Sequence, residues 1–328
     1  MSEPRLNAPY IRYTESNRTL MGDMMIALLP LYVMACYYYG LRALVLGVFS
    51  VAVCVGTDML CQKLSGRAVN PRDLSAVVTG MLLPLMMPAS IPYFILATAG
   101  VFAIAVAKHP FGGVGNNLFN PAASGYAFAA LCWAEKMFSY PVPLEHLAVF
   151  GDTGAKLMQS PARTLLQGGV PNIDFLEMLL GNYPGPMGAT HILVILACLL
   201  FLIYRKTINW QSPVCFLATA AVLAFCFPRL VTGNRVDSLM FELFSGILVF
   251  GAVFLLPEPV TSPKRISAKM LYGVFGAVIV MLYRLYGSME EGMMFAILLL
   301  NAAAPVTDRI GEKLIRKVRR MHLGKLQP

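Results

Sequence analysis

The chain has 328 residues, of which 57% are hydrophobic and only 13% are charged, and its mean hydropathy is +0.65. A soluble domain is about 45–50% apolar and about 25% charged, so the composition excludes an ordinary soluble protein and predicts an integral membrane protein. The net charge of +9 does not indicate a nucleic-acid partner, because basic residues collect in the cytoplasmic loops of membrane proteins. The seven cysteines form no CxxC pair and are interpreted as packing residues, without disulfide, iron–sulfur or zinc roles.

Ten apolar segments follow one another along the chain. They are predicted at 23–39, 42–61, 74–87, 91–107, 121–133, 189–204, 213–227, 240–256, 268–286 and 292–306. A helix needs about 20 residues to cross the hydrocarbon core, and the segments 74–87 and 121–133 are shorter. These two are therefore predicted to be half-helices or broken helices in an all-α membrane protein.

The basic residues predict how the chain is oriented in the membrane. If both termini are cytoplasmic, ten spans place 19 of the 26 Lys and Arg residues on the cytoplasmic side, as the positive-inside rule requires. The predicted organisation is a cytoplasmic tail without a cleavable signal (1–22), a first five-helix repeat (23–134), an outward-facing loop (135–188), a second five-helix repeat (189–307) and a basic cytoplasmic tail (308–328).

The two halves of the chain share one order of features. In each, a glycine opens an apolar run that ends in a proline cluster, and a full span follows. A basic residue closes that span, and an asparagine follows a glycine-containing turn. Five spans per half is an odd number, so the second half is predicted to be inverted, as in transporters. The matching residues are Gly80 and Gly246, Lys108 and Arg284, and Asn120 and Asn301.

The stretch 108–126, KHPFGGVGNNLFNPAASGY, interrupts the first half. Its glycines and prolines prevent a continuous helix, and Asn116, Asn117 and Asn120 supply amide donors and acceptors. Irregular backbone at membrane depth is tolerated only where it is buried in protein or lines a cavity. The stretch predicts a ligand or cofactor niche that ends at a helix N-terminus at Pro121, where an anionic group is favoured. The alternative is an ordinary cytoplasmic loop.

Three runs resemble one family of membrane proteins: SAVVTGMLLPLMMP at 75–88, GGVGNNLFNPA at 112–122 and LLPEPVTSP at 255–263. They are similar to the RnfD/NqrB family, whose members are membrane subunits of Rnf complexes and of the related sodium-pumping quinone reductase. The length of the chain fits the RnfD members better than the longer NqrB members. The resemblance extends over about residues 10–308. It implies ten spans in two inverted five-helix repeats, similar to urea transporters, in a prokaryotic cell membrane.

The resemblance also implies an electron-transport function. Such subunits belong to complexes that couple electron transfer between ferredoxin and NAD to the movement of sodium or protons. The implied partners are a second flavin subunit, iron–sulfur subunits and a flavin transferase that matures the chain. The implied cofactors are FMN, joined through its phosphate to a threonine of the outward loop, and a non-covalent riboflavin within the membrane.

The family's attachment motif is roughly Ser/Thr-Gly/Ser-Ala-Thr, and SPART at 160–164 is its nearest match here. The resemblance therefore assigns the FMN phosphoester to Thr164, although Arg163 stands where the family has alanine. Arg163 is expected to pair with the phosphate. The alternatives are Thr153 in DTGAK and a loop without flavin. The riboflavin niche is predicted from the 108–126 stretch, at Gly112, Gly113, Gly115, Asn116 and Asn120.

No catalytic triad, HExxH motif or P-loop occurs, so neither catalytic residues nor a metal site are predicted. The carboxylates Asp58, Asp73, Glu242, Glu258 and Asp308 lie in or near spans. They are candidates for ion handling, with pairing or interfacial solvation as the ordinary alternative. The predicted function is a membrane subunit of an ion-translocating ferredoxin:NAD oxidoreductase. The competing functions are a flavin-free channel or transporter for a small solute and a purely structural scaffold.

Overall fold

The computed structural model describes residues 17–66, 73–113, 115–151, 153–230, 234–287 and 289–324, with side chains as far as residue 313. Helices dominate, and the only strand pairing in these ranges joins Tyr140–Pro141 (β1) to Leu157–Met158 (β2) in antiparallel register. The helices are α1 (Asn17–Tyr39), α2 (Leu41–Leu64), α3 (Ser75–Leu85), α4 (Tyr93–Val101) with a π-helical continuation over Phe102–Lys108, α5 (Pro121–Cys132), α6 (Ala134–Met137), α7 (Pro161–Leu166), α8 (Phe175–Leu180), α9 (Ile192–Tyr204), α10 (Gln211–Cys226), α11 (Arg235–Phe244), α12 (Leu248–Phe254), α13 (Ile266–Tyr286) and α14 (Met293–Gly324).

Several helices have the length and composition of membrane spans. In the described part of the chain, four helical stretches are each long and apolar enough to cross a membrane: α1, α2, α13 and the portion Met293–Lys313 of α14. Helices α11 and α12 together also have that length and composition, but the chain bends by 53° between them. The helices α3, α4 with its π-helical end, α9 and α10 are apolar but shorter. The chain is therefore an all-α, multi-pass membrane protein, as its composition predicts.

The segment 240–256 was predicted as one helix, and this is wrong because the structure breaks it between α11 and α12. Gly246 stands at the break with φ +69°, a conformation that favours glycine. The side chain of Glu291 fills the gap: its Oε1 accepts a hydrogen bond of 3.2 Å from the backbone N–H of Ile247. A Cβ on Gly246 would lie 1.3 Å from that same oxygen. A glutamate 44 residues further along the chain thus decides where the helix ends.

The terminal helices extend beyond the predicted spans. Helix α1 already begins at Asn17, inside the predicted tail, and α14 continues through Pro305 to Gly324. The remainder of both tails, 1–16 and 325–328, lies outside the described residues. Also outside them are five basic residues counted in the predicted orientation: Arg5, Arg12, Arg67, Arg72 and Lys325.

Two helix pairs pack closely through glycine. Helix α4 packs on α2, and α13 packs on α10. A Cβ on Gly100 of α4 would lie 3.1 Å from the Sγ of Cys54, and a Cβ on Gly273 of α13 would lie 2.5 Å from the carbonyl oxygen of Ser212. Small residues at such crossings let two backbones approach, which stabilises helix pairs where no hydrophobic effect drives them together.

A buried arginine attaches the 135–188 loop to the helices. Arg42 of α2 is 2% exposed, and its guanidinium donates four hydrogen bonds of 2.8–3.1 Å. Two go to the carbonyls of Ala89 and Ile91, which follow α3, and two to the carbonyls of Ala148 and Val149 in the loop. The guanidinium therefore holds the loop against the irregular chain between α3 and α4.

Candidate functional site

Thr164 lies on a short capped helix within the 135–188 loop. Ser160 precedes α7 and accepts a hydrogen bond of 3.0 Å from the backbone N–H of Arg163, while Pro161 occupies the first helical position. Serine as cap and proline at the first position are a favoured helix start. The Thr164 hydroxyl donates to the carbonyl of Ser160 at 3.1 Å, and the residue is half-buried beside the exposed Arg163.

The surroundings of Thr164 suit a phosphoester. Its hydroxyl is bonded only within its own helix turn, so an ester there disrupts no long-range contact. The neighbouring guanidinium supplies a charged donor for phosphate oxygens. A cavity of about 280 Å³ beside α7 is lined by Phe138, Arg163, Leu166, Gln167 and Glu290 among others. This mixture of apolar and polar walls is typical of ligand sites.

The alternative attachment residue, Thr153, lies in a different cavity. That cavity measures about 640 Å³, and Arg42 and Lys136 line it together with Tyr93 and Glu135. Thr153 is half-buried there. Its neighbour Asp152 lies outside the described residues. Thr153 thus lines a cavity with two basic side chains, whereas Thr164 does not line the cavity beside α7, to which its neighbour Arg163 contributes.

Asn120 joins the two halves of the protein. Its side-chain oxygen caps α5 by accepting from the backbone N–H of Ala123 at 3.0 Å. Its own backbone N–H donates to the side-chain oxygen of Asn301 at 2.9 Å, and the Asn301 amide donates to the Tyr272 hydroxyl at 2.8 Å. The two asparagines that match in the sequence pattern are therefore in direct contact. The helix start predicted at Pro121 is confirmed.

A buried cavity borders this asparagine. Its walls come from α1, α3, the turn before α5 and the chain around α12. The cavity measures only about 60 Å³. The cavity is therefore narrow as it stands. The residues that line it include Met21, Met24, Thr79, Lys108, Asn117, Asn120 and Glu258.

Only part of the predicted niche reaches this cavity. Asn120 and Asn117 line it, whereas Gly112, Gly113, Gly115 and Asn116 do not. The three glycines have φ values of +111°, +88° and +85°, so the chain turns sharply there, and Gly115 and Asn116 end up exposed. The methionines of α1 were not predicted as lining residues. To predict them, one would need to know that α1 packs beside α3 and the turn before α5, which are distant from it in the sequence.

A buried lysine pairs with the carboxylates of the first half. Lys108 ends the π-helical turn and is 1% exposed. Its Nζ lies 2.7 Å from Asp58 and 3.0 Å from Asp73. The Oδ1 of Asp58 also lies 2.8 Å from the Nε2 of His109, and its Oδ2 accepts from Gln62 at 2.7 Å. These carboxylates are therefore paired, as the ordinary alternative predicts.

The second half contains a comparable cluster. Glu242 is fully buried between Arg229 and Arg284, with a distance of 3.2 Å to the Nη1 of Arg284. Arg284 also lies 3.6 Å from Glu291. In each half, a buried basic residue at the end of one helix thus pairs with a carboxylate from an earlier helix.

The remaining two carboxylates differ from each other. Asp308 lies near the surface and accepts from the backbone N–H groups of Lys264 and Arg265. Glu258 lies in the link after α12, where burial raises the pKa of its carboxyl group to about 7. No group of three or more His, Cys, Asp or Glu residues suited to a metal ion occurs in the described ranges.

Comparison with known proteins places the chain beside one group. A family model described as the NQR2, RnfD, RnfE family matches residues 6–316. The D subunit of the Na(+)-translocating ferredoxin:NAD(+) oxidoreductase complex of Acetobacterium woodii is 34% identical over 311 residues, which cover 94% of this chain and 93% of the relative. The D subunit of the proton-translocating ferredoxin:NAD(+) oxidoreductase complex of Clostridium ljungdahlii is 31% identical, with 92% of each chain covered. The D subunit of the ion-translocating oxidoreductase complex of Aeromonas hydrophila is 30% identical, with 96% and 98% covered.

Proposed function

The chain belongs to the NQR2, RnfD, RnfE family, and from this premise we propose that it is the RnfD subunit of an Rnf-type, ion-translocating ferredoxin:NAD oxidoreductase. The observation that carries the proposal is similarity over more than nine-tenths of the chain to two relatives whose names state that reaction. The chain is a subunit of a translocase and is not catalytic alone. The direct test is ferredoxin-dependent reduction of NAD by membranes that contain or lack this chain.

We propose ten spans in two inverted five-helix repeats, 23–134 and 189–307, joined by an outward-facing 135–188 loop, with both termini cytoplasmic. Helices α1–α5 and α9–α14 supply the ten if α11 and α12 count as one broken span. Gly100 and Gly273 both lie where two helices pack closely, and Lys108 and Arg284 both pair with a buried carboxylate near the end of a helix. These two similarities between the halves support a repeat. The contact between the two matching asparagines supports a pseudo-symmetry axis near them.

We propose that Thr164 carries FMN as a phosphoester, attached by a flavin transferase. The threonine hydroxyl provides the ester oxygen, and Arg163 neutralises phosphate charge. Ser160 keeps α7 capped, so it presents both residues at the surface. When bound, the flavin supplies one- and two-electron transfer, and the protein sets its position and its electrostatic surroundings.

We propose that the cavity beside Asn120 holds the second flavin, a non-covalent riboflavin. Its polar groups fit a flavin ring edge, since Asn117, Asn120 and Thr79 offer amide and hydroxyl groups. In the part of the chain that the structure describes, the side-chain oxygen of Asn117 has no hydrogen-bond partner. The space requires widening, and the flexible side chains of Met21 and Met24 permit it.

Asn117→Ala is expected to lose the non-covalent flavin, because it removes an amide that lines the cavity. One lost hydrogen bond in a buried site is worth about 1–3 kcal/mol, so binding weakens by about tenfold or more. Asn116→Ala is the matched control, since its side chain is exposed outside the cavity. The measurement is the amount of riboflavin released on denaturation of each purified chain. Equal riboflavin in both variants would place the second flavin elsewhere.

The partners and the coupling ion follow from the same premise. We propose that the chain works with a second flavin subunit and iron–sulfur subunits in the lipid bilayer, without nucleic acid. The names of the Clostridium ljungdahlii and Acetobacterium woodii relatives specify different ions, protons in the first and sodium in the second. Sodium or protons are therefore the proposed coupling ions.

A further inference from the structure

A pair of buried carboxyl groups beneath the 135–188 loop has no role in the function proposed above. Glu290 and Glu291 form part of the link between α13 and α14, and they are 7% and 0% exposed. The hydroxyl of Ser160 donates to Glu290 Oε1, and the N–H of Ile247 donates to Glu291 Oε1. In the described part of the chain, the Oε2 atom of each has no hydrogen-bond partner, although Glu291 Oε2 lies 3.6 Å from Arg284.

The charges around this pair do not balance. Two guanidinium groups, those of Arg229 and Arg284, face three buried carboxylates, because Glu242 lies between both arginines. If all five groups were ionised, this inner part of the cluster would carry one excess negative charge, because the third guanidinium near Glu290, that of Arg163, lies exposed at the surface. An unpaired charge out of water costs several kcal/mol, so such a group binds a counter-charge instead.

Two buried tyrosines also face the pair. Tyr126 of α5 is 0% exposed, and Tyr140 of β1 is 1% exposed. Both hydroxyls lie within electrostatic range of Glu290 and Glu291. Neither hydroxyl has a hydrogen-bond partner in the described ranges. Such orphaned buried oxygens require a ligand or ordered water, since buried polar groups are otherwise paired.

Glu290 has a route to the protein surface. It lines the cavity beside α7, whose other charged lining residues are Glu135 and Arg163. Both of these are exposed to water, and the Arg163 guanidinium lowers the pKa of Glu290 against the larger effect of burial. A small ion can therefore reach Glu290 from the side of the membrane on which the loop lies.

We propose that Glu290 and Glu291 form a proton-binding site that exchanges one proton through the cavity beside α7. A proton removes the excess charge and needs no coordination shell. The described residues offer no cluster of three or more metal-ligating His, Cys, Asp or Glu side chains for a larger cation. Tyr126 and Tyr140 then supply hydroxyls that hydrogen-bond to the remaining carboxylate, directly or through water. The proposal concerns residues that take no part in flavin attachment, so it stands or falls separately.

The electrostatics of the pair agree with this geometry. Burial, reinforced by the neighbouring Glu291, raises the pKa of Glu290 to about 8, and burial raises the pKa of Glu291 to about 7 against the pull of Arg284. An unfolded glutamate has a pKa of about 4.3. The native state therefore holds protons that the unfolded state releases. The resulting stabilisation is fully present below pH of about 4 and is lost as the pH rises through about 8.

Infrared titration of the flavin-depleted full chain in detergent tests the site. Wild type is expected to show the carbonyl stretch of a protonated carboxylic acid, shifted in D2O and lost with a midpoint near pH 8. Glu290→Gln keeps an acceptor for Ser160 but cannot titrate. It is expected to lose the component with a midpoint near pH 8 and to keep the signals of Glu258 and Glu291, whose pKa values are about 7. Glu135→Gln, an exposed carboxylate of the same cavity, is expected to keep that component.

Two further arms keep the test decisive. Should Glu290→Gln not fold, Glu291→Gln is expected to lower the midpoint, because it removes the repulsion that favours protonated Glu290. At fixed pH, exchange of choline chloride for NaCl at equal ionic strength is expected to leave the band unchanged. Loss of the band on addition of NaCl would overturn the proposal in favour of a sodium site. Absence from wild type of a component with a midpoint near pH 8, or its persistence in Glu290→Gln, would also overturn it.

Discussion

Thr164→Ala is expected to abolish covalent flavin on this chain, whereas Thr153→Ala is expected to keep it. The ester bond needs a hydroxyl, and alanine has none. The measurement is in-gel flavin fluorescence of the denatured chain after co-expression with a flavin transferase. Thr164→Ser is the matched control, because it keeps the hydroxyl on the same capped helix, and it is expected to retain fluorescence.

The fold is expected to survive Thr164→Ala. The threonine hydroxyl bonds only to the carbonyl of Ser160 in its own helix, and such a bond contributes about 0.5–1.5 kcal/mol. Loss of fluorescence in Thr153→Ala instead would move the attachment site to the larger cavity. No fluorescence in wild type, with the transferase active on another substrate, would remove covalent flavin. The flavin-free solute channel would then be the better description of the chain.

Lys108→Met is expected to destabilise the protein by about 3–5 kcal/mol, the range found when one partner of a buried ion pair is removed. The change leaves Asp58 and Asp73 without their shared ammonium group at 2.7 and 3.0 Å. The Nε2 of His109 remains 2.8 Å from Asp58. The measurement is the thermal unfolding midpoint of the purified chain in detergent, followed by circular dichroism.

Two comparisons separate the effect of losing the ion pairs on stability from the effect of replacing any lysine. Lys63→Met replaces an exposed lysine, and surface substitutions are usually within about 0.5 kcal/mol of wild type. Lys108→Met combined with Asp58→Asn is expected to recover part of the loss, because one orphaned charge becomes neutral. Equal midpoints for Lys108→Met and Lys63→Met would contradict the pairing seen in the structure.

Local sequence patterns predicted most helices and the start of α5. The Asn–Pro step at 120–121 predicts a capped helix start, and the matched positions of Asn120 and Asn301 predict equivalence, which their direct contact supports. The break between α11 and α12 was beyond such reasoning. It depends on Glu291, which is remote in sequence and reaches Ile247 only after the chain has folded.

The candidate site was predictable to a lesser degree. The assignment of Thr164 came from a family motif, because a threonine in a polar loop indicates no chemistry by itself. Asn117 and Asn120 reach the cavity, but the glycines beside them form a turn that leaves it, and residue types alone do not distinguish these outcomes. The partners of Lys108 lie 50 and 35 residues before it, so periodicity gave no sign of them.

The central claim is that this chain carries electrons in an ion-translocating ferredoxin:NAD oxidoreductase. The most direct test uses inverted membrane vesicles from host cells in which the chain is wild type, Thr164→Ala or deleted. Reduced ferredoxin is supplied, and NADH formation and ion uptake are measured together. Wild-type vesicles are expected to show both, and the other two neither. Coupled NADH formation at the wild-type rate in vesicles that lack the chain would contradict the claim.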